Sequence, residues 1–123
     1  MPFVPIAVAE VDPFDARARR AGLSDDERAE LITFLALHPE AGDLIQGTGG
    51  LRKLRWAGKG KGKRGGYRAI YYFFTEDVPI YLMAIYAKNQ QADLSADQKA
   101  QLAALAAELK AGATRRRKSR VKR

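Results

Sequence analysis

Two neighbouring apolar segments constrain the fold more than any other feature of the sequence. Residues 67–75 (YRAIYYFFT) and 79–88 (PIYLMAIYAK) are rich in aromatic and β-branched side chains, and only Glu-Asp-Val separates them. Such segments favour strands, and a tight connection pairs them as an antiparallel hairpin. We therefore predict a hairpin here and interpret most of its aromatic side chains as packing of the sheet and core.

Helix signals come before this hairpin. Pro13 follows an Asp, and Gly22 is a plausible helix stop. Ser24 with Glu27 three residues later forms a capping box, and Pro39 ends the helix that follows it. These signals predict, in chain order, a weak edge strand over 3–11 and helices over 13–21 and 25–38.

Residues 51–57 alternate apolar and basic side chains. As a strand, they direct Leu54 and Trp56 to one face and Lys53 and Arg55 to the other. After this strand comes GKGKGKRGG, which has no apolar residue and is typical of a flexible loop. It is not a phosphate-binding P-loop, because no Ser or Thr follows a Gly-Lys pair.

A second capping box, Ser95 with Gln98, begins the last helix, which we expect to end near Gly112. The element order βααβββα predicts an α+β domain with helices on one face of an antiparallel sheet. We place this domain at 1–112. We expect 113–123 to be a basic tail without fixed structure.

Basic residues are concentrated in two parts of the chain. Residues 52–68 hold eight Lys and Arg and no Asp or Glu, and residues 115–123 hold seven and none, although the whole chain carries only +8. Charge runs are often only solvated surface. A basic block amid acidic surroundings is also the pattern of a protein that binds a polyanion.

The composition excludes several function classes. The chain has no cysteine, so it has no disulfide, thiolate metal site or cysteine nucleophile. No apolar run approaches the roughly 20 residues that a membrane-spanning helix needs, and no secretory leader is apparent. We therefore expect a cytoplasmic protein without metal or cofactor.

RNA cleavage by attack of a 2′-hydroxyl needs a base, cations for the phosphoryl oxygens and an acid. His38 is the only histidine, and we interpret it as a surface or helix-terminal residue. Nuclease chemistry would then use Lys, Arg and Tyr. We expect the cationic cluster to lower the pKa of Lys and Tyr from about 10. Such an enzyme should be slow unless something else positions its RNA.

The stretches GTGGLRKLRWAGKGKGKRGGYRAIYY, IYAKN and DLSADQKAQL together resemble the RelE-like toxins of bacterial toxin–antitoxin modules, in the HigB-like branch. The resemblance runs from about Pro39 to Leu109. It implies the RelE-like fold and an mRNA endonuclease that cuts the message in the ribosomal A site without metal. The implied partners are mRNA, the ribosome and a cognate antitoxin that covers the basic face.

The resemblance also implies roles for residues. It makes Lys53, Arg55, Arg68 and Lys88 catalytic candidates and the loop residues Lys59, Lys61, Lys63 and Arg64 RNA-binding candidates. From the residues themselves we add Tyr86 to the first set and Arg52, a member of the basic block, to the second. Asn89 and Leu94 stand where relatives have Arg and Tyr, which leaves the general base open, with Tyr86 and Lys53 as substitutes. The alternative function is a non-catalytic binder of the same fold, such as a gyrase inhibitor or an RNA-binding module.

Overall fold

A computed structural model describes residues 5–57 and 66–121, with side chains as far as Arg115. It confirms the predicted α+β class and the RelE-like arrangement of elements. The elements in chain order are β1 (Val8–Glu10), α1 (Phe14–Ala21), α2 (Asp25–Leu37), β2 (Asp43–Leu44), β3 (Leu51–Trp56), β4 (Tyr67–Tyr72), β5 (Ile80–Ala87) and α3 (Ala96–Val121).

The strands form one five-stranded sheet in the order β1-β5-β4-β3-β2. The predicted β4–β5 hairpin is confirmed, and β3 pairs antiparallel with β4. The edge strand β1 pairs parallel with β5, with Val8 opposite Ile80, so the sheet is mixed rather than purely antiparallel. The short strand β2 was not predicted, because two exposed residues carry no periodic pattern.

Both predicted capping boxes are present. Ser24 Oγ accepts from the backbone N–H of Glu27 at 3.1 Å, and Glu27 Oε1 accepts from the N–H of Ser24 at 2.9 Å. Ser95 and Gln98 make the same pair of bonds, at 3.1 and 2.9 Å. These reciprocal bonds satisfy backbone donors that a helix start leaves unpaired.

The predicted end of the last helix near Gly112 is wrong, because α3 continues to Val121. A glycine inside a helix costs only about 1 kcal/mol. Ala113, the next residue, is buried in the core with 2% of its surface exposed, and this packing offsets that cost. The domain boundary at 112 stays a prediction.

Helices cover both faces of the sheet. On the first face, α1 and α2 pack over side chains that include Leu54, Tyr71 and Ile85. On the second face, α3 packs over side chains that include Ile70 and Tyr86. The N-terminal helices therefore share one face as predicted, but the C-terminal helix lies on the other. No helix in the described ranges is long and apolar enough to cross a membrane.

Arg28 fixes α1 against α2 and β1. Its guanidinium donates to both carboxylate oxygens of Glu10 at 2.7 and 2.5 Å and to Asp15 at 2.8 Å. It also lies 5.5 Å from the centre of the Phe14 ring. The bond from Arg28 lowers the pKa of Asp15. The bidentate contact holds Arg28 in a fixed orientation on Glu10 of β1, and the single bond to Asp15 ties α1 to the same guanidinium.

Candidate active site

Three of the predicted site residues form a row across the sheet. Arg55 on β3 lies opposite Arg68 on β4, and Arg68 lies opposite Tyr86 on β5. Lys53 lies two residues before Arg55 and so shares its face. This is the face that α3 covers, because the alternate residues Leu54 and Trp56 pack under α1 and α2, as the sequence predicts.

Gly66 brings the ends of the strands close together beside this row. Its φ of +57° lies in the left-handed region, and a Cβ atom there would stand 2.6 Å from the carbonyl oxygen of Trp56. Only glycine fits such an approach without strain. The carbonyl of Gly66 also accepts from the N–H of Lys88 at 3.0 Å. Lys88 therefore leaves β5 next to the start of β4, with an exposed side chain.

A carboxylate completes the cluster. Oδ1 of Asp93 lies 3.4 Å from Nζ of Lys53 and 3.4 Å from the hydroxyl of Tyr86. The same oxygen accepts from the N–H of Leu94 at 2.8 Å. Asp93 was not predicted from the sequence, because a single carboxylate gives no metal-site pattern, and its partners Lys53 and Tyr86 are distant in the chain. Its place in the quoted DLSADQKAQL stretch was the available signal.

The cluster changes the ionisation of Tyr86 in the direction opposite to our expectation. Burial and the neighbouring Asp93 carboxylate together raise the pKa of Tyr86 to about 12, and the opposing effect of Arg68 is smaller. The predicted lowering of tyrosine pKa is therefore wrong for Tyr86. Its hydroxyl keeps its proton near neutral pH and donates a hydrogen bond to Oδ1 of Asp93.

Asp93 has the opposite shift. The N–H of Leu94 and the ammonium of Lys53 lower the pKa of Asp93 below its ordinary value. Its side chain is 62% exposed, so water screens these interactions in part. Asp93 is a carboxylate at neutral pH, and its contacts in the described part of the chain are made by Oδ1. Oδ2 remains able to accept a proton or a hydrogen bond from a ligand.

Arg68 is the most buried cation of the cluster, with 8% of its surface exposed. One of its guanidinium nitrogens donates to the carbonyl of Tyr67 at 3.3 Å. Arg68 shares its face with Ile70 and Tyr72, as the alternation of β4 predicts. Arg55, its neighbour across the strand pair, is exposed. The side chain of Arg68 is thus buried against the sheet, whereas that of Arg55 faces solvent.

The other candidates lie elsewhere. Arg52 is on the opposite face, where it donates to the carbonyls of Gly42 and Glu40 at 2.8 and 3.2 Å. His38 caps the end of α2, with its ring 4.7 Å from that of Phe34, which fits the interpretation as a helix-terminal residue. The loop candidates Lys59, Lys61, Lys63 and Arg64 lie outside the described residues.

The structure therefore brings together Lys53, Arg55, Arg68 and Tyr86, adds Asp93, and leaves Arg52 apart. Within the described residues, no three His, Asp or Glu side chains form a group that could hold a metal ion. What the cluster offers is a set of fixed positive charges, an ionised carboxylate and a protonated phenol. Such groups can bind a phosphodiester, stabilise negative charge on it and move protons near it.

The sequence model of a family described as "RelE toxin of RelE / RelB toxin-antitoxin system" matches residues 11–121. The match begins well before Pro39, so it includes both N-terminal helices, and it extends past Gly112 to the end of α3. It confirms the RelE-like resemblance. The HigB-like branch stays a prediction.

Proposed function

The chain belongs to the RelE family of toxins from toxin–antitoxin systems, and from that premise we propose that it is a ribosome-dependent mRNA endonuclease. The observation that carries the proposal is the row of Arg55, Arg68 and Tyr86 across three strands. Asp93 contacts this row through Tyr86 and also contacts Lys53. A toxin that only blocked gyrase would not need this set of phosphate-binding and proton-transferring groups.

The proposed reaction is an internal transesterification. The 2′-oxygen of one nucleotide forms a bond to the neighbouring phosphorus, and the bond from that phosphorus to the 5′-oxygen of the next nucleotide breaks. The proton of the 2′-hydroxyl goes to a base, and an acid returns a proton to the departing 5′-oxygen. The products are a 2′,3′-cyclic phosphate and a 5′-hydroxyl, and no metal takes part.

Asp93 is our candidate for the base. It is ionised at neutral pH, and its Oδ2 can accept the proton of the 2′-hydroxyl while Oδ1 is held by Tyr86 and Lys53. Tyr86 is poorly suited to that role, because its raised pKa of about 12 leaves almost no phenolate at neutral pH. In this scheme Tyr86 and Lys53 position Asp93 rather than take the proton.

Arg68 and Arg55 are the candidates for stabilising the phosphoryl oxygens. A guanidinium offers two parallel donors to two such oxygens and stays charged at any working pH. Lys88, exposed at the end of β5, is the candidate acid for the 5′-oxygen. The loop candidates Lys59, Lys61, Lys63 and Arg64, together with Arg52, would bind RNA by neutralising phosphates away from the reacting bond.

The proposed dependence on the ribosome follows from the openness of the cluster. Arg55, Lys88 and Asp93 are exposed, so this surface holds a flexible RNA strand poorly by itself. A ribosome that fixes the message supplies the orientation that the protein lacks. The remaining partner that we propose is a cognate antitoxin that covers this basic surface, and the proposed location is the cytoplasm.

Induction of the toxin in cells without antitoxin tests the function. We expect amino-acid incorporation to stop first in pulse labelling, and we expect new message 5′ ends inside reading frames. Arg68→Ala should abolish both effects. Arg19→Ala is a matched control, since the Arg19 side chain is 80% exposed on α1. If DNA synthesis stops while incorporation continues, the gyrase-inhibitor alternative is correct.

Purified components test the dependence on the ribosome. We expect rapid cleavage of mRNA on programmed ribosomes, little cleavage of the same RNA when free, and no effect of a chelator once ribosome integrity is preserved. Equal rates on free and ribosome-bound RNA would contradict the role of the ribosome. Loss of cleavage on removal of a divalent ion from otherwise intact ribosomes would contradict the metal-free mechanism.

A further inference from the structure

A cavity of about 240 Å³ lies beside the cluster and is not used in the proposed reaction. In the described part of the chain, β1 pairs only with Ile80–Leu82 of β5. On the side of β5 away from β4, the second half of the strand therefore has no strand beside it in the described residues. The helix α1 and the segment after β5 lie there instead. The cavity curves around this edge, because Ile85 lines it from the α1 face and Tyr86 from the α3 face.

Two arginines of α1 line one wall of the cavity. Arg17 has a guanidinium Nε that is buried and has no hydrogen-bond partner in the described residues. A buried donor without a partner is unfavourable, so an anion in the cavity that draws the Arg17 guanidinium toward it would relieve that cost. Arg20 adds a second positive charge to the same wall. Among the described residues that line the cavity, none is a carboxylate.

Side-chain amides line the other wall. Gln90 donates to the backbone carbonyl of Arg20 at 3.2 Å, which bridges the loop to α1. Gln91 donates to Oε1 of Gln98 at 2.6 Å and to the carbonyl of Asp93 at 2.8 Å. Each amide also has an acceptor oxygen, so the wall can present donors and acceptors to the edge of a base.

The size and chemistry of the cavity fit one ligand class. Its volume is below the roughly 300–1,000 Å³ of pockets for drug-sized ligands, so it takes a small flat group. Apolar surface from Ile85 and Leu94 suits the face of an aromatic ring, the amides suit its edge, and Arg17 and Arg20 suit a phosphate. A single nucleotide combines all three properties, and at this volume the cavity holds its base while its phosphate lies at the rim.

We infer that this cavity binds one nucleotide of the RNA substrate next to the cleaved phosphodiester. The inference rests on the proposed function for the identity of the RNA, and Tyr86 supplies the geometric link, since it lines the cavity and also donates to Asp93. A nucleotide seated there fixes the register of the strand over the cluster. The amides of Gln90 and Gln91 would then contribute to base preference at that one position.

Binding of nucleoside 5′-monophosphates to the purified toxin tests the site without any cleavage. The signals to follow by nuclear magnetic resonance are the Nε–H of Arg17 and the side-chain amides of Gln90, Gln91 and Gln98. We expect nucleotides to shift these signals together and one base to bind best. Arg17→Ala and Arg20→Ala should each weaken binding about tenfold, the effect of losing one charged hydrogen bond.

Arg19→Ala is the matched control, because Arg19 is on the same helix but does not line the cavity, and its exposed side chain pairs with Asp15. Arg20 is exposed, so Arg20→Ala should fold even if Arg17→Ala does not. The remaining signals of each spectrum show whether the variant is folded. Inorganic phosphate alone is a second probe. If phosphate shifts the arginine signals as much as a nucleotide does and the amides never move, the cavity is only an anion site and the inference is wrong.

Further outcomes would overturn the inference. One is that nucleotides shift only signals of the basic strands, or bind Arg17→Ala as well as wild type. Another is that the cavity variants weaken binding of the antitoxin and leave nucleotide binding unchanged. The binding experiment does not depend on cleavage. If the toxin binds nucleotides in this cavity but does not cut mRNA in the ribosome assay, the proposed function is wrong and the nucleotide site remains.

Discussion

The hydroxyl of Tyr86 lies 3.4 Å from Oδ1 of Asp93, and Nζ of Lys53 lies 3.4 Å from the same oxygen. This arrangement joins a buried phenol to an ionised carboxylate. Burial and the Asp93 carboxylate raise the pKa of Tyr86 to about 12, and the N–H of Leu94 and the ammonium of Lys53 lower the pKa of Asp93. Because the two shifts are opposite in sign, Asp93 as the base and Tyr86 as the base predict different dependences of the cleavage rate on pH.

The rate of single-turnover cleavage should be nearly constant between about pH 6 and pH 9 if Asp93 is the base. Its lowered pKa keeps it fully ionised over that range, and activity should fall only when the pH drops through that pKa. A phenolate base with a pKa of about 12 would behave differently. Its ionised fraction, and so the rate, would rise about tenfold per pH unit across the range.

Asp93→Asn should lower the cleavage rate about 10²–10⁴-fold, as removal of a general base does. The amide keeps the shape of the side chain and can still accept from Leu94, but it cannot take a proton. Asp97→Asn, an exposed site in the first turn of α3, is the matched control. Wild-type cleavage by Asp93→Asn on ribosomes would remove Asp93 from the mechanism and return the role of base to Lys53 or Tyr86.

Tyr86→Phe separates positioning from chemistry. If the hydroxyl only holds Asp93, its loss should reduce the rate moderately, and the pH profile should keep its flat form. The ring that packs under α3 is retained, so stability should change little. A rate that falls as far as in Asp93→Asn, together with loss of any rise at high pH in the wild type, would instead identify Tyr86 as the base.

Local chemistry in the sequence was enough for much of the fold. The hairpin of β4 and β5 and both capping boxes follow from apolar pattern and from residues three apart. The parallel pairing of β1 with β5 does not, because strand direction depends on how the chain between them travels. The continuation of α3 past Gly112 depends on the burial of Ala113, a tertiary contact.

In the candidate site too, local sequence predicts some features and tertiary contacts decide others. Alternation along β3 was sufficient to put Lys53 and Arg55 on one face and opposite to Leu54. The contact between Lys53 and Asp93 joins residues 40 positions apart, and nothing local in the sequence marks it. The shift of the Tyr86 pKa was predicted with the wrong sign because burial and this carboxylate outweigh the nearby Arg68.

Arg68→Ala should slow cleavage of ribosome-bound mRNA by about 3 kcal/mol, as for other preorganised donors to a developing oxyanion. Arg68→Lys should lose nearly as much, since lysine keeps the charge and loses the planar fork. Ribosome affinity should change little, because the other cations remain. Arg68 is buried, so thermal unfolding of each variant must be compared first. Wild-type rates at saturating ribosomes would make Arg68 a structural residue.

The last prediction concerns the basic tail. Ala113 is the last buried residue in the described side chains, so a chain that ends at Thr114 keeps the core and should fold. Residues 115–123 carry seven basic side chains, and binding through them should be mostly release of counterions, which depends steeply on salt. The truncated protein should therefore bind ribosomes more weakly at low salt and show a shallower dependence of binding on salt concentration.

The cleavage rate of the truncated protein at saturating ribosomes should match that of the full chain. A truncated toxin that folds and saturates the ribosome but does not cut would show that the tail takes part in the chemistry. An unchanged salt slope would show that the tail does not touch RNA.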